Sequence, residues 1–205
     1  NLRVPSGASY PLSIRDTYRK IYPEFFETLN IKPIKEYPSI LKESMNYVNC
    51  GGINVVLTPG RFNSAYYEHA YLAKKIGARL VRNNELIVKD KIVYFRNYNG
   101  KDIRVGSIYR RLDDEFLDPK FFNPDSLIGV PGIMEAYLSG NVALLNAPGN
   151  GVADDKGIYY FVPKMIKYYL GEEPILKNAP TYLPYFEDDK KYVFENIHKL
   201  VIKDV

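Results

Sequence analysis

Residues 140–156 read GNVALLNAPGNGVADDK, and this stretch decides the predicted fold. It opens with the apolar run 142–145, breaks at the turn sequence NAPGNG, and ends with Asp154, Asp155 and Lys156. The pattern predicts a buried strand, a glycine-rich turn and the start of a helix. Backbone N–H groups are unpaired at a helix start, so such a turn is suited to anions and other ligands. An ordinary tight turn with a helix N-cap explains the pattern equally well.

Short apolar runs before this stretch predict an α/β sheet. A helix that starts at Asn63 or Ser64 and ends at Ile76 before Gly77 joins the first two strands, which predicts a parallel pair with a right-handed crossover. The predicted strand segments are residues 53–58, 78–81, a hairpin over 85–95 with its turn near Asp90, 103–109 and 142–145. We therefore predict a Rossmann-like sheet with flanking helices and a β-hairpin.

The remaining segments predict helices around this sheet. One, starting at Pro38 or Ser39, is predicted to turn Ile40, Leu41, Met45 and Val48 inward. The other helical patterns cover residues 13–29 with a break at Pro23, 131–138, 158–170 with Pro163 inside it, and 188–197. The internal proline predicts a kink or two short helices.

Two further expectations concern strands. Residues 200–205 read as the start of a strand. Residues 53–71 and 141–160 both read strand, Pro-Gly turn, Asn, helix, and related turns on adjacent strands would face one crevice.

Composition narrows the class of protein. The chain has 205 residues, 46% of them hydrophobic and 25% charged, which is enough for one domain or one and a half. A formal net charge of +4 with scattered Lys and Arg residues argues against a nucleic-acid partner. No apolar run reaches membrane-spanning length and no signal peptide is visible, which argues against a membrane partner. Cys50 is alone, so a cytoplasmic location is expected.

The run Arg110-Arg111-Leu112-Asp113-Asp114 follows a predicted strand directly. Arginines at a strand end can clamp a carboxylate or phosphate with two hydrogen bonds, and a nearby aspartate fixes their direction. A local ion-pair cluster on a surface loop is the simpler alternative. Glu115 and Asp118 add two carboxylates, so a divalent cation site is a further alternative here.

The histidines and the cysteine of this chain give little indication of a catalytic role. His69 lies on the predicted inward face of its helix, which favours a hydrogen-bonded core histidine over a catalytic one. Cys50 has no base nearby in sequence, so we do not predict a nucleophile. His198 has no potential metal ligand at a suitable spacing.

Several longer motifs together resemble the circularly permuted ATP-grasp family, which is related to glutathionylspermidine synthase. They are NLRVPSG.SY.L at 1–12, LTPG..NSAY.EHAYLA at 57–73, YRR.DD.FLDP at 109–119, SLIGVPGIMEAYLSGNVALLNA.GNGVADDK at 126–156, YYLGEEPIL.N.PTYL at 168–183 and LVIKDV at 200–205. The resemblance implies a ligase that forms a C–N bond using ATP and Mg²⁺. Such an enzyme phosphorylates a small-molecule or peptide carboxylate, and an amine then displaces the phosphate.

The resemblance also implies roles for particular residues. Asn1 matches the asparagine of a metal-binding motif. Arg3 and Ser6 continue this motif and are candidates for binding the nucleotide. Lys203 matches a lysine that contacts the nucleotide. The candidates for the acceptor site are Arg110 and Arg111 as catalytic residues, and Asp113, Asp114, Asn150, Asp154, Asp155 and Lys156 as substrate-binding residues.

The predicted domains follow from the same resemblance. They are a metal-motif loop with a helical segment at 1–49, a Rossmann-like pre-ATP-grasp domain at 50–171, and a linker with the start of the nucleotide lobe at 172–205. The acidic partner of Asn1 and the glycine-rich loop of the nucleotide lobe are not in this sequence, so we expect a fragment that cannot complete catalysis. A non-catalytic Rossmann-like ligand-binding module is the main alternative, and a nucleotide-sugar transferase is a weaker one.

Overall fold

The computed structural model describes residues 3–203. They form two compact units, which are described separately: an N-terminal unit, Arg3–Pro148, and a C-terminal unit, residues 149–203. The predicted domain boundaries stay a prediction, because a division by compactness does not test them. Within residues 3–203, no helix combines the length and apolar character needed to cross a membrane.

The N-terminal unit is a mixed α/β structure. Its strands are β1 (Ile53–Leu57), β2 (Arg79–Val81), β3 (Leu86–Lys89), β4 (Ile92–Phe95), β5 (Ile103–Arg110) and β6 (Ala143–Leu145). Its helices are α1 (Ser9–Ile21), α2 (Pro23–Thr28), α3 (Tyr37–Tyr47), α4 (Tyr66–Ile76), α5 (Asp114–Leu117) and α6 (Ile133–Leu138). The predicted break at Pro23 is confirmed, because α2 begins with this proline, whereas α1 starts earlier than predicted.

Strand β5 is the centre of the sheet. It pairs in parallel with β1 on one side and with β6 at Ser107–Tyr109 on the other, while β4 pairs antiparallel with it near Ile103. Strand β2 extends the parallel part beside β1, which confirms the predicted parallel pair. Strands β3 and β4 form the predicted hairpin, with positive φ at Asp90 and Lys91 in its turn. Because β5 lies between β1 and β6, the turns that follow these two strands are not on adjacent strands.

Helices cover both faces of the sheet because successive side chains of a strand point to opposite faces. Val55 and Leu57 belong to a core cluster that includes α6 and the hairpin, and Val56 belongs to a second cluster with α3 and α4. Helix α3 contributes its fully buried Met45 to this second cluster. Ile40 and Val48, predicted to be inward, are exposed because α3 buries only a narrow stripe around Met45 and Pro38.

The C-terminal unit contains two helices, α7 (Lys156–Leu170) and α8 (Glu187–Asn196). Among residues 149–203 only Gly157 is buried. The strand predicted from Leu200 is absent in residues 200–203, since no neighbouring strand in the described part pairs with them, and residues 204 and 205 lie outside the described range.

Helix α7 runs through Pro163 as one helix, so the alternative of two short helices is wrong. A proline cannot donate to the carbonyl four residues earlier, which here belongs to Tyr159. Asn178 replaces that donor, because its Nδ2 lies 3.1 Å from the Tyr159 carbonyl oxygen. The Ala179 N–H donates to the hydroxyl of Tyr159 at 3.0 Å, so one residue of the helix anchors the following segment twice.

Candidate functional site at the carboxyl edge of the sheet

The carboxyl ends of β1, β5 and β6 meet at one edge of the sheet. Sheets of this kind bind ligands outside the carboxyl ends of their parallel strands. The residues that follow the three strands are Thr58, Arg111 and Asn146. The segment Arg3–Ser9 is hydrogen-bonded to residues of this edge and of α4, so two distant parts of the sequence meet here.

Arg110, at the end of β5, is fully buried and holds the turns around it. Its Nε donates to the carbonyl of Asn146 at 2.7 Å and its Nη2 to that of Ala147 at 3.2 Å. Its Nη1 donates to the carbonyl of Leu112 at 2.8 Å, and Nη2 pairs with Asp114 at 2.7 Å. Burial lowers the pKa of Arg110, and the charge of Asp114 opposes that shift. The guanidinium thus connects the turn after β5 to the turn after β6.

Arg111 forms a buried ion pair with Glu68 of α4, with 3.0 Å between Nη2 and Oε1. Both side chains are buried, at 0% and 1% exposure. Its Nη1 also donates to the hydroxyl of Tyr109 at 3.1 Å and to the carbonyl of Pro5. The predicted clamping of a substrate by Arg110 and Arg111 stays a prediction, and in this structure these donors contact the protein itself.

Glu68 is a residue of this edge that the sequence motifs did not indicate. Its Oε2 accepts from the Gly7 N–H at 2.7 Å, from the Ser9 N–H at 3.0 Å and from the Ser9 hydroxyl at 3.0 Å. A carboxylate on the buried face of α4 beside His69 was a signal that could have found it, because a buried charge needs a partner.

His69 is a hydrogen-bonded core histidine, as predicted. It is 1% exposed, and its Nδ1 lies 2.8 Å from the Thr58 hydroxyl. The Thr58 Oγ1 accepts from the Gly60 N–H at 3.1 Å, so its hydrogen is available to a neutral imidazole. Burial, and secondly the charge of Arg111, lowers the pKa of His69 to about 4.

Two predicted site residues with different assigned roles lie together. Arg3, assigned to the nucleotide, pairs with Asp113, assigned to the substrate, with 3.3 Å between Nε and Oδ1. Both are partly exposed, at 39% and 46%. Ser6 is exposed, and Asn1 lies outside the described residues.

The acidic residues after Arg110 have structural partners. Asp118 is buried, and its carboxylate accepts from the N–H groups of Lys120, Gly132 and Met134 at 2.9 to 3.1 Å, which anchors the start of α6. Glu115 accepts from Asn123. Within residues 3–203, no three His, Cys, Asp or Glu side chains are grouped to hold a metal ion, so we assign no magnesium ligand among them.

The remaining predicted residues belong to the C-terminal unit. Asn150 and Asp154 bound a 3₁₀ turn, and Asp155 follows it as the N-cap of α7, accepting from the Ile158 N–H at 2.9 Å. Lys156 is exposed and donates to the Asp154 carbonyl at 3.3 Å. Lys203 is exposed. The ordinary N-cap is therefore present, and the substrate-binding role of these residues stays a prediction.

A sequence model of a protein family described as "A circularly permuted ATPgrasp" matches residues 1–205. The chain belongs to the circularly permuted ATP-grasp family. The predicted family is confirmed.

Relatives of this ATP-grasp chain are longer proteins. An uncharacterized protein of Synechocystis sp. is 51% identical over 99% of this chain and 43% of its own length. An uncharacterized protein of Mycobacterium tuberculosis is 43% identical over 100% of this chain and 38% of its own length. A Frankia alni protein named "Putative glutamate--cysteine ligase 2-3" is 36% identical over 100% of this chain and 24% of its own length.

Proposed function

We propose that this chain is part of an ATP-dependent ligase that joins a carboxylate to an amine through an acyl-phosphate. The family match over residues 1–205 carries the proposal. In this reaction a carboxylate oxygen takes the terminal phosphoryl group of ATP with release of ADP. The amine nitrogen then attacks the acyl carbon and phosphate leaves.

The N-terminal unit would serve as a Rossmann-like acceptor-binding part of this ligase. Its parallel strands place Asp113 and Asp114 at the edge where such sheets bind ligands. We propose these two as residues of this unit that bind the acid or the amine. Asn150, Asp154, Asp155 and Lys156 of the C-terminal unit are separate candidates for binding the same substrates. The hydrogen bonds of Arg110 and Arg111 support a role in holding the turns and the segment Arg3–Ser9 that surround the substrate.

Arg3, Ser6 and Lys203 are our candidates for contacts with ATP. A guanidinium, a hydroxyl and an ammonium group all suit phosphate oxygens. Mg²⁺ would neutralise charge on the transferring phosphoryl group. The described residues supply no cluster of metal ligands, so no step is assigned to a metal held by residues 3–203.

The test is ATP-dependent phosphate release by the full-length protein with pairs of acids and amines. Glutamate and cysteine are the first pair to try, because the Frankia relative is named for them, although this chain matches only 24% of that relative. We expect release only when an acid, an amine and Mg²⁺ are all present. We expect a polypeptide of residues 1–205 alone to release no phosphate. Phosphate release at the rate of the full-length protein would contradict the proposal that this chain is only a part of the ligase.

Replacement of Arg110 by Ala should abolish this turnover, because the turns after β5 and β6 lose a shared anchor. The exposed Arg19 of α1 offers a matched control, and Arg19→Ala should leave phosphate release unchanged. Normal turnover in Arg110→Ala would remove Arg110 from the site.

A second candidate is a non-catalytic ligand-binding module of a larger protein. Arg110 and Arg111 are buried, Arg110 donates to backbone carbonyl groups and Arg111 pairs with Glu68, and these contacts within the protein favour it. This candidate predicts that the full-length protein binds a ligand but releases no phosphate with any pair of acid and amine.

A further inference from the structure

The buried Glu68–Arg111 pair contacts the chain on both sides of Ser6. The carbonyl of Pro5 accepts from Arg111, and the N–H of Gly7 donates to Glu68 at 2.7 Å. Ser6 itself is exposed. One ion pair therefore fixes the backbone before and after an exposed serine.

Residues 3–8 form neither helix nor strand, so their conformation depends on such contacts. Gly7 has a φ of 100°, in the left-handed region that favours glycine, and it turns the chain so that its N–H meets Glu68. Two further hydrogen bonds from the fully buried Ser9 reach the same carboxylate oxygen. The segment is thus held by one carboxylate in α4 and one guanidinium after β5.

We propose that Glu68 is a positioning residue, which with Arg111 fixes the turn Pro5–Gly7 so that Ser6 and Arg3 can contact ATP phosphates. The assignment rests on the proposed function, because it uses ATP as the ligand of this segment. A buried ion pair is a weak source of net stability, since the cost of desolvating both charges offsets their attraction. What this pair supplies is the placement of a segment that has no secondary structure.

Hydrogen exchange in the full-length protein measures this placement without any substrate. In Glu68→Gln, a neutral amide replaces an oxygen that accepts three hydrogen bonds. Exchange at the Gly7 and Ser9 amides should rise at least about tenfold, because hydrogen bonds to a charged group are lost. Amides of β1 and β5 should keep their protection. The control is Glu43→Gln on the exposed side of α3, which should leave the exchange of residues 3–9 unchanged.

The same variants should then be titrated with a non-hydrolysable ATP analogue and Mg²⁺. We expect affinity to fall at least about tenfold in Glu68→Gln and to stay unchanged in Glu43→Gln. Faster exchange with unchanged affinity, or unchanged exchange, would overturn the inference. Failure of the wild-type protein to bind the analogue would overturn the proposed function and its nucleotide role, while exchange would still report whether Glu68 holds the segment.

Ser9→Ala keeps the inference testable if Glu68→Gln does not fold. It removes only the hydroxyl bond to Glu68 and leaves the ion pair intact. Exchange at residues 7–9 should rise, and affinity for the analogue should fall, each by about two- to tenfold. A folded Ser9→Ala protein with wild-type values for both measurements would contradict the positioning role of this carboxylate.

Discussion

The two units of this chain differ in how much apolar surface they bury. The N-terminal unit buries apolar side chains from Met45 to Leu144 in two clusters, one on each face of its sheet. In the described part of the C-terminal unit only Gly157 is buried, and large apolar side chains such as Leu170 and Ile175 are 65% and 96% exposed. The difference follows from the sheet, which gives helices a surface on which to pack.

Helix α7 illustrates the point. Its apolar residues follow the helical repeat that predicts a buried face, yet Met165, Tyr169 and Leu170 are exposed. Residues 149–203 contain no strand, and the amphipathic pattern has no sheet within its own unit to cover it. An amphipathic sequence therefore predicts a helix here but not its burial.

The largest effect should come from the core of the N-terminal unit. Leu57 of β1 is fully buried, so Leu57→Ala should lower the free energy of unfolding of this unit by about 2–5 kcal/mol. Leu170→Ala in α7, where the side chain is 65% exposed, should change stability by less than about 0.5 kcal/mol. Hydrogen exchange of amides in β1 and in α7 measures both. Similar losses of stability in the two variants would contradict the difference in burial between the units.

The next largest effect is the pH dependence of the stability of the N-terminal unit. Because burial lowers the pKa of His69 from 6.5 to about 4, the unfolded chain binds a proton at a higher pH than the folded chain does. The contribution of His69 to stability is therefore complete above pH 6.5 and is lost as the pH falls to about 4. The loss should amount to about 3 kcal/mol.

His69→Asn keeps an acceptor near Thr58 but does not titrate in this range. The protection of β1 amides should therefore depend less on pH in this variant than in the wild type between pH 7 and 4. Identical pH profiles would show that the histidine is not buried as described.

The smallest effect tests how the C-terminal unit holds its helix. Asn178→Ala removes the donor to the Tyr159 carbonyl and should lower the protection of α7 amides by about 1 kcal/mol. In a Pro163→Ala background residue 163 regains an N–H for that carbonyl, so the same change should cost less. Equal costs in both backgrounds would mean that Asn178 does not compensate for the proline.

The hairpin and the βαβ unit could be predicted because their signals are local. Gly77 ends α4 in the left-handed conformation, and Asp90 and Lys91 take positive φ in a tight hairpin turn. The narrow buried stripe of α3 could not be predicted, because it depends on which part of the helix meets the sheet. Asp155 as a helix cap was one of two interpretations of a local pattern, and the cap is present, while the ligand-binding interpretation stays a prediction.

The position of Arg110 and Arg111 at a strand end could be predicted, but their partners could not. Arg110 and Arg111 do stand at the carboxyl end of a parallel strand. Their partners are carbonyl groups and a carboxylate from distant segments, and Pro5 and Glu68 are not recognisable from the run of residues 110–114. Glu68 was difficult to recognise from the sequence, because a glutamate on a helix is usually solvated.

By itself, the sequence determined the family, the order of the strands and of the helices other than α5 in the N-terminal unit, and the burial of His69. These depend on motifs and on short-range periodicity, which neighbouring residues carry. Only the tertiary structure decided that Glu68 and Arg111 hold the segment around Ser6, and that Asn178 compensates for Pro163. Those contacts join residues that are far apart in the chain, and the partner of a buried polar group is known only once the fold has brought the two together.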